Sequence, residues 1–243
     1  KSAPYLAVSI GTIIYYKIDI FIIGIIKGNY EAGVYNAAYK LVDVLIFFAA
    51  VITSVAFPMF AKITDSKLNC KTLNLEFILG ILSWVGALVS LLLLLASDDI
   101  IFLIYGENGY NSASEILMIL SISLFFLFVN AAFIVAFNAW GMPKISSKLI
   151  YLSILVNILL NIPMVYMYGS TGAATATVMS EIFLLYGLHF QAKKIGINVR
   201  LIKYVATFVS ITLMTFFIIY IGIETWDVNL YIRLAEKLFL SLF

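Results

Sequence analysis

Four ionisable side chains sit inside otherwise apolar sequence near the start of the chain: Lys17 and Asp19 in one segment, Lys40 and Asp43 in the next. A charged group within a membrane span costs about 2.5–3.5 kcal/mol, so such groups are candidates for ion or substrate pathways, or they neutralise one another. A lysine ammonium offers a point charge to an anionic headgroup such as a pyrophosphate. A buried carboxylate offers a place for a proton or a coupling cation. Asp19 precedes the turn at Lys27, Gly28 and Asn29 by about ten residues and Lys40 follows it by about eleven. At 1.5 Å rise per residue, both lie roughly 15 Å below the outer end of an antiparallel hairpin. The expectation is an Asp19–Lys40 ion pair near the membrane midplane. Asp43, three residues along the same helix, is a rival partner for Lys40, which leaves Lys17 the less compensated cation. Lys17 and Lys40 are candidates for substrate binding from a water-filled cavity; internal salt bridges holding the two segments together are the structural alternative.

Further along, Glu181 stands among Gly172, Ala176 and Ser180, small residues four apart that let helices approach closely. Packing accounts for the small residues, and Glu181 is a candidate for a coupling cation or proton, or for an ion pair with a neighbouring helix. Asn157 and Asn161, one turn apart, read first as interhelical hydrogen-bonding groups, with a direct sugar contact as the weaker alternative and Pro163 kinking the helix just after them. His189, Lys193 and Lys194 fall where snorkelling at a helix end explains them. One cysteine, Cys70, and one histidine build neither a disulfide framework nor a metal site. No nucleophile motif, phosphate-cradling glycine loop or paired catalytic carboxylates appears, so neither catalytic residues, nor a metal, nor a cofactor are expected, and transport is favoured over an enzyme.

These residues must be positioned by membrane-spanning helices. The chain is 63% hydrophobic and only 12% charged, where soluble domains run near 45–50% and about 25%, so a soluble fold fails. Its mean hydropathy of +1.07 agrees. The fold class expected is all-α, a polytopic bundle with spans at about 4–26, 32–61, 73–96, 113–139, 145–167, 171–192 and 202–222. A truncated eighth span is expected at 228–243. Short connections at 27–29, 141–143 and 168–170 make sequential helices antiparallel neighbours. The division expected is a six-helix lobe over 1–192 and one or two additional helices over 193–243. Because the chain opens on Lys1 without a signal-peptide pattern, it reads as excised from a longer protein.

Orientation follows from the cations. Lys62, Lys67, Lys71, Lys144, Lys148, Lys193, Lys194, Arg200 and Lys203 fall in alternate connections, while the opposite ones hold Lys27 as their clear cation. The basic connections are placed in the cytoplasm, making the chain a multi-pass protein of the cytoplasmic (inner) membrane. The net charge of +2, carried on membrane-flanking loops, gives nucleic-acid binding no support.

The segment 18–63 resembles the polysaccharide-transporter branch of the multidrug, oligosaccharidyl-lipid and polysaccharide exporter superfamily. The residues that carry the resemblance are Asp19 ahead of a short glycine-containing turn, Gly33-Val34-Tyr35-Asn36-Ala37-Ala38 opening the next helix, Lys40, and Phe57-Pro58 near its end. A second match covers 138–181, with Asn157, Asn161, Tyr168-Gly169 and Gly172-Ala173-Ala174. The resemblance implies a two-lobed flippase resembling multidrug and toxin extruders, with alternating access around a central cavity. The cargo it implies is an undecaprenyl-pyrophosphate-linked oligosaccharide for surface polysaccharide: O-antigen of lipopolysaccharide, capsule or exopolysaccharide. On this reading the chain is the C-terminal lobe, the N-terminal lobe is missing, and Lys17, Asp19, Lys40 and Asp43 belong to a cavity-lining hairpin. Where the family relies on cavity arginines, this chain has only Arg200 and Arg233, both near span ends.

The partners expected are the lipid-linked oligosaccharide, membrane lipids, the missing lobe, and a polymerase or glycosyltransferase of the pathway. Three alternatives stand beside this reading. A cation-coupled multidrug exporter would use Asp19 or Glu181 for coupling, a peptidoglycan-precursor flippase would share fold and carrier, and a membrane-embedded glycosyltransferase would need a larger outer loop than 97–112.

Overall fold

The structure is a computed structural model that describes residues 3–63, 68–106 and 112–225. The described residues are helical: α1 (Ala3–Lys27), α2 (Asn29–Ala61), α3 (Leu68–Tyr105), α4 (Ser112–Ala139), α5 (Pro143–Lys194) and α6 (Leu201–Thr225). In hydrocarbon every backbone amide must be satisfied within its own segment, which leaves the helix as the way for such apolar stretches to cross. Four of these helices, α2 to α5, are long and apolar enough to span a bilayer. The chain is an all-α, multi-pass membrane protein. The expected eighth span at 228–243, and Arg233 with it, lie outside the described residues.

The described residues up to 208 form one compact unit, and those from 209 on fall in a second. Within the first, α6 is tied to the bundle by Phe208, which stacks on Phe125 with ring centroids 4.5 Å apart, and by the Tyr204 hydroxyl, which donates to the Glu76 carbonyl at 3.2 Å.

α5 is two helical arms joined at Gly169, whose φ of 63° and ψ of −141° break the helix. That left-handed region favours glycine, because a Cβ there would be strained. Contacts between Asn157 and Ser180, and between Ser153 and the Ser180 carbonyl, run from one arm to the other, so 143–168 and 170–194 form an antiparallel hairpin. Pro163 lies inside the first arm, and the reversal is at Gly169, within the short connection expected at 168–170. At the other end, Gly141 (φ 74°) closes α4, and the Met142 amide reaches back to the Phe137 carbonyl at 2.8 Å before Pro143 starts α5.

The basic connections gather at one end of the bundle. Lys71 lies over the Trp140 ring at 5.2 Å, Phe60 meets Trp140 edge-on, and Gly196 approaches Leu68. The ends of α2, α4 and the second arm of α5 therefore meet the starts of α3 and α6. At the opposite end, Ser170 donates to the Glu31 carboxylate and carbonyl, and Lys27 lies over Tyr166. Two boundaries differ from expectation. Lys71 is in the first turn of α3 and buried rather than in a loop, because its stem and ammonium cover an aromatic cluster. α3 also continues through Asp98 and Asp99 to Tyr105, since no helix breaker precedes Gly106 and the Tyr105 hydroxyl is held by the Ala37 carbonyl at 3.3 Å.

The hairpin of α5 closes at Gly172, where an added Cβ would overlap the Met164 carbonyl. Gly172→Ala is expected to lower stability by about 1–3 kcal/mol through overpacking against backbone. Gly80→Ala, with open space around that position, is expected to leave stability unchanged or slightly raised. Thermal unfolding of the two variants in detergent checks this.

Candidate functional site

Asp19 is 1% exposed, and its carboxylate is held by side chains from three directions. The Tyr35 hydroxyl of α2 donates to Oδ2 at 2.9 Å, the Thr177 hydroxyl of the second arm of α5 donates to Oδ2 at 2.6 Å, and Asn161 Nδ2 of the first arm donates to Oδ1 at 2.7 Å. Asn161 Nδ2 also donates to Asn157 Oδ1 at 2.9 Å, and Asn157 Nδ2 donates to Ser180 Oγ at 3.2 Å. The cradle is a set of neutral donors around one carboxylate. Such a site can keep a negative charge, take a proton, or receive a small cation among carboxylate, amide and hydroxyl oxygens.

The expected Asp19–Lys40 ion pair does not form. Distance from the turn fixed the depth of the two residues but not the direction in which each faces. Tyr35 points toward Asp19, and Lys40, five residues on, lies about 140° around α2 from it, on the exposed face. Among the described residues Lys40 has no ion-pair partner. The partner expected to compete for it, Asp43, is taken instead by Lys17, whose Nζ lies 3.0 Å from Asp43 Oδ2. Among the described residues Lys17 is therefore the compensated lysine and Lys40 the one without an ion-pair partner, the reverse of the expectation. Lys17 also sits over the Tyr39 ring at 5.4 Å from its centroid. With Lys17 54% and Asp43 36% exposed at the side chain, this pair lies on the surface of the α1–α2 hairpin.

Asn157 and Asn161 are fully buried between the arms of α5 and α1. Their amides serve Asp19 and Ser180, and in this conformation neither offers a surface to a sugar. Glu181 is a second buried carboxylate, 2% exposed, accepting from Asn130 Nδ2 at 2.6 Å while the same amide donates to the Glu181 carbonyl at 3.1 Å. The Asn157–Ser180 link places Glu181 next along the chain from the Asp19 cradle. Toward the basic end, a cavity of about 370 Å³ opens between α2 and α4, lined mainly by apolar groups that include Ile46, Ala49, Ala50, Leu127, Ala131 and Ile134. Its walls suit a hydrocarbon chain.

Sequence reasoning overlooked Thr177 and Asn130, and named Tyr35 only as part of the motif that opens α2. Asn130 carried a signal, as an amide within the charge-free sequence of α4. Thr177 follows Ala176 and so sits beside the small-residue stripe, and Tyr35 stands in the motif that opens α2. Neither type announces a carboxylate partner without the fold.

Comparison with known proteins places this geometry. Residues 2–114 match a family described as "Polysaccharide biosynthesis protein". The chain is 25% identical over 179 residues to "Probable low-salt glycan biosynthesis flippase Agl15" of Haloferax volcanii, covering 71% of this chain and 36% of that protein. It is 26% identical over 175 residues to "Probable flippase AglR" of the same organism, covering 68% and 35%. Among solved structures, "Lipid II flippase MurJ, inward closed conformation" superposes with a TM-score of 0.71 at 18% identity, over 95% of this chain and 52% of that one. A MOP superfamily transporter from Pyrococcus furiosus gives 0.62 at 17%, over 87% and 50%. The first part of the chain is thus similar to a polysaccharide biosynthesis family, and about 70% of the chain is similar to proteins named as flippases. At these identities the two solved structures speak to the fold of the chain alone. The chain spans about a third of the length of the curated relatives it matches and about half of the solved chains.

Removing one donor from a buried carboxylate leaves charge unsatisfied, which costs about 1.5–3 kcal/mol for a charge-assisted bond. Thr177→Val is expected to lower stability by about that amount, and by clearly less when combined with Asp19→Asn. Unfolding of the two single variants and the double variant measures it; equal losses in both backgrounds would remove Thr177 from the cradle.

Proposed function

We propose that this chain is the C-terminal lobe of a flippase that moves a lipid-linked glycan across the cytoplasmic membrane by alternating access. The observation that carries the reading is the division of charge across the α1–α2 hairpin. On its inner face Asp19 is held by neutral donors, and on its outer face Lys17 and Asp43 neutralise each other while Lys40 remains unpaired among the described residues. The exposed face is therefore net cationic at roughly mid-depth, which suits a phosphate or pyrophosphate linking a glycan to its lipid. The apolar cavity between α2 and α4 would receive part of the hydrocarbon carrier. Transporters built of repeats place such sites between lobes near the midplane, so the second wall of the cavity belongs to an N-terminal lobe.

The relative named as a probable glycan biosynthesis flippase and the one named as a probable flippase support the class of cargo. The finer assignment we propose is a polyprenyl-pyrophosphate carrier, undecaprenyl in a bacterial cell, bearing a surface-polysaccharide repeat unit. Asp19, with Asn157, Asn161, Thr177 and Tyr35, serves as the coupling site, taking a proton or cation as the lobes rock. A polymerase or glycosyltransferase of the same pathway is the expected neighbour. A cation-exporting drug transporter fits less well, because an exposed face carrying one unpaired lysine repels cationic cargo.

The test is complementation of a flippase-deficient strain by the full-length protein at matched membrane levels. Wild type is expected to restore surface glycan. Lys40→Ala is expected to reduce it roughly tenfold or more, the scale of one lost charge-assisted contact, and Asp19→Asn to abolish it. Lys17→Ala is expected to act more weakly, because it leaves Asp43 exposed to water rather than buried. Full activity of Lys40→Ala would exclude Lys40 as the headgroup ligand, and failure of well-expressed wild type would remove the flippase reading for that glycan.

A further inference from the structure

Lys17 and Asp19 are two residues apart on α1, so they face directions about 200° apart. One is on the surface and the other is buried. A continuous set of contacts does run between them through α2. The Tyr35 hydroxyl donates to Asp19 Oδ2 at 2.9 Å. The Tyr35 ring stacks on the Tyr39 ring, one turn further along, with centroids 5.9 Å apart and planes 17° from parallel. The Tyr39 ring carries the Lys17 ammonium at 5.4 Å, and that ammonium bonds Asp43 at 3.0 Å. Both rings are buried, at 0% and 3% exposure.

We infer that Tyr35 and Tyr39 are positioning residues that transmit the charge of Asp19 to the exposed Lys17–Asp43 pair. A negative Asp19 holds the Tyr35 hydroxyl as a donor to a charged acceptor, which fixes the ring above it. When a proton or cation neutralises the carboxylate, that acceptor weakens and the Tyr35 ring is released. In a close-packed interior a ring cannot shift without its stacked neighbour, so Tyr39 moves as well. The π face under Lys17 is then lost or re-aimed, and the attraction that holds the ammonium against Asp43 changes with it. The charged groups involved are Asp19 within and Lys17 and Asp43 at the surface; the groups facing Asp19 from α2 and α5 are Tyr35, Asn161 and Thr177. The inference rests on the proposed function only in taking the Lys17–Asp43 side as the one that meets cargo.

The experiment is a double-variant cycle read by thermal unfolding of the full-length protein in detergent, without cargo. Asp19→Asn and Asp43→Asn are combined in the wild-type background and in Tyr39→Leu, Tyr39→Phe and Tyr35→Phe backgrounds. In wild type the two changes are expected to depart from additivity by roughly 2 °C or more in melting temperature, the shift that coupled residues give in a protein of this size. Tyr39→Leu, which fills space but offers no ring face, is expected to make them additive. Tyr39→Phe, which keeps the face, is expected to preserve the coupling, an outcome that mere space-filling would not produce. Tyr35→Phe, which removes a single hydroxyl, is expected to abolish the coupling and provides the same test should Tyr39→Leu fail to fold. Additivity in wild type would overturn the inference, and so would coupling that survives Tyr35→Phe or Tyr39→Leu, because the two carboxylates would then interact directly through space. Cargo plays no part in the measurement, so a failed complementation assay and a failed cycle are separate results.

Discussion

A carboxylate enclosed in a helical bundle within hydrocarbon has no water to turn to, and the protein must supply every partner itself. Asp19 imposes that constraint here. Its three donors come from α2 and from both arms of α5, so α1 must lie against the α5 hairpin as well as beside α2. The arms must also close tightly enough for Asn161 and Thr177 to reach the same carboxylate, which is where the break at Gly169 and the absent side chain at Gly172 enter. The polar chain through Asn157 to Ser180 extends this demand along the hairpin to the turn of helix that carries Glu181. One buried carboxyl group thus specifies the relative placement of four helical segments.

The same two helices present a different chemistry outward. The exposed face of α1 and α2 combines an ion pair, a lysine without an ion-pair partner among the described residues and, further toward the basic end, large apolar side chains such as Phe47, Val51 and Val55. A surface that is ionic at mid-depth and apolar below it cannot rest against lipid tails along its whole length. Charged groups in spans face a protein interior or a water-filled cavity. The inner face of the hairpin is thus committed to holding the lobe together, and the outer face is available to something else.

Much of this was legible in sequence. Spans, turns and the sidedness of the lysines follow from hydropathy and a handful of glycines, because the bilayer leaves the backbone few choices. Distance from the turn was legible too, since Asp19 and Lys40 can be counted along their helices from it. Direction was not. Whether Lys40 meets Asp19 depends on rotation about the helix axis, and a bundle packed on two sides sets that rotation by contacts between residues more than a hundred positions apart, such as Asn161 and Asp19. Lys71 illustrates the same point, since a lysine near a helix start reads as a loop cation until Trp140 is seen to cover it. The length of α3 escaped notice because a pair of aspartates was read as an exit to water, whereas a helix can carry Asp98 and Asp99 outward without ending.

The cradle also bears on how the protein is made. Asn161 is 142 residues downstream of Asp19 and Thr177 is 158 downstream. When α1 leaves the ribosome, most of its polar partners have not yet been synthesised. An isolated span bearing both Lys17 and Asp19 is a poor substrate for the insertion machinery, by about 2.5–3.5 kcal/mol for each charge near its centre. Pairing with α2 through Lys17–Asp43 and Tyr35–Asp19 relieves part of that penalty early, with the first hairpin alone. The remainder must wait until the α5 arms arrive, so the helix that organises the finished bundle is among the last to reach its final environment.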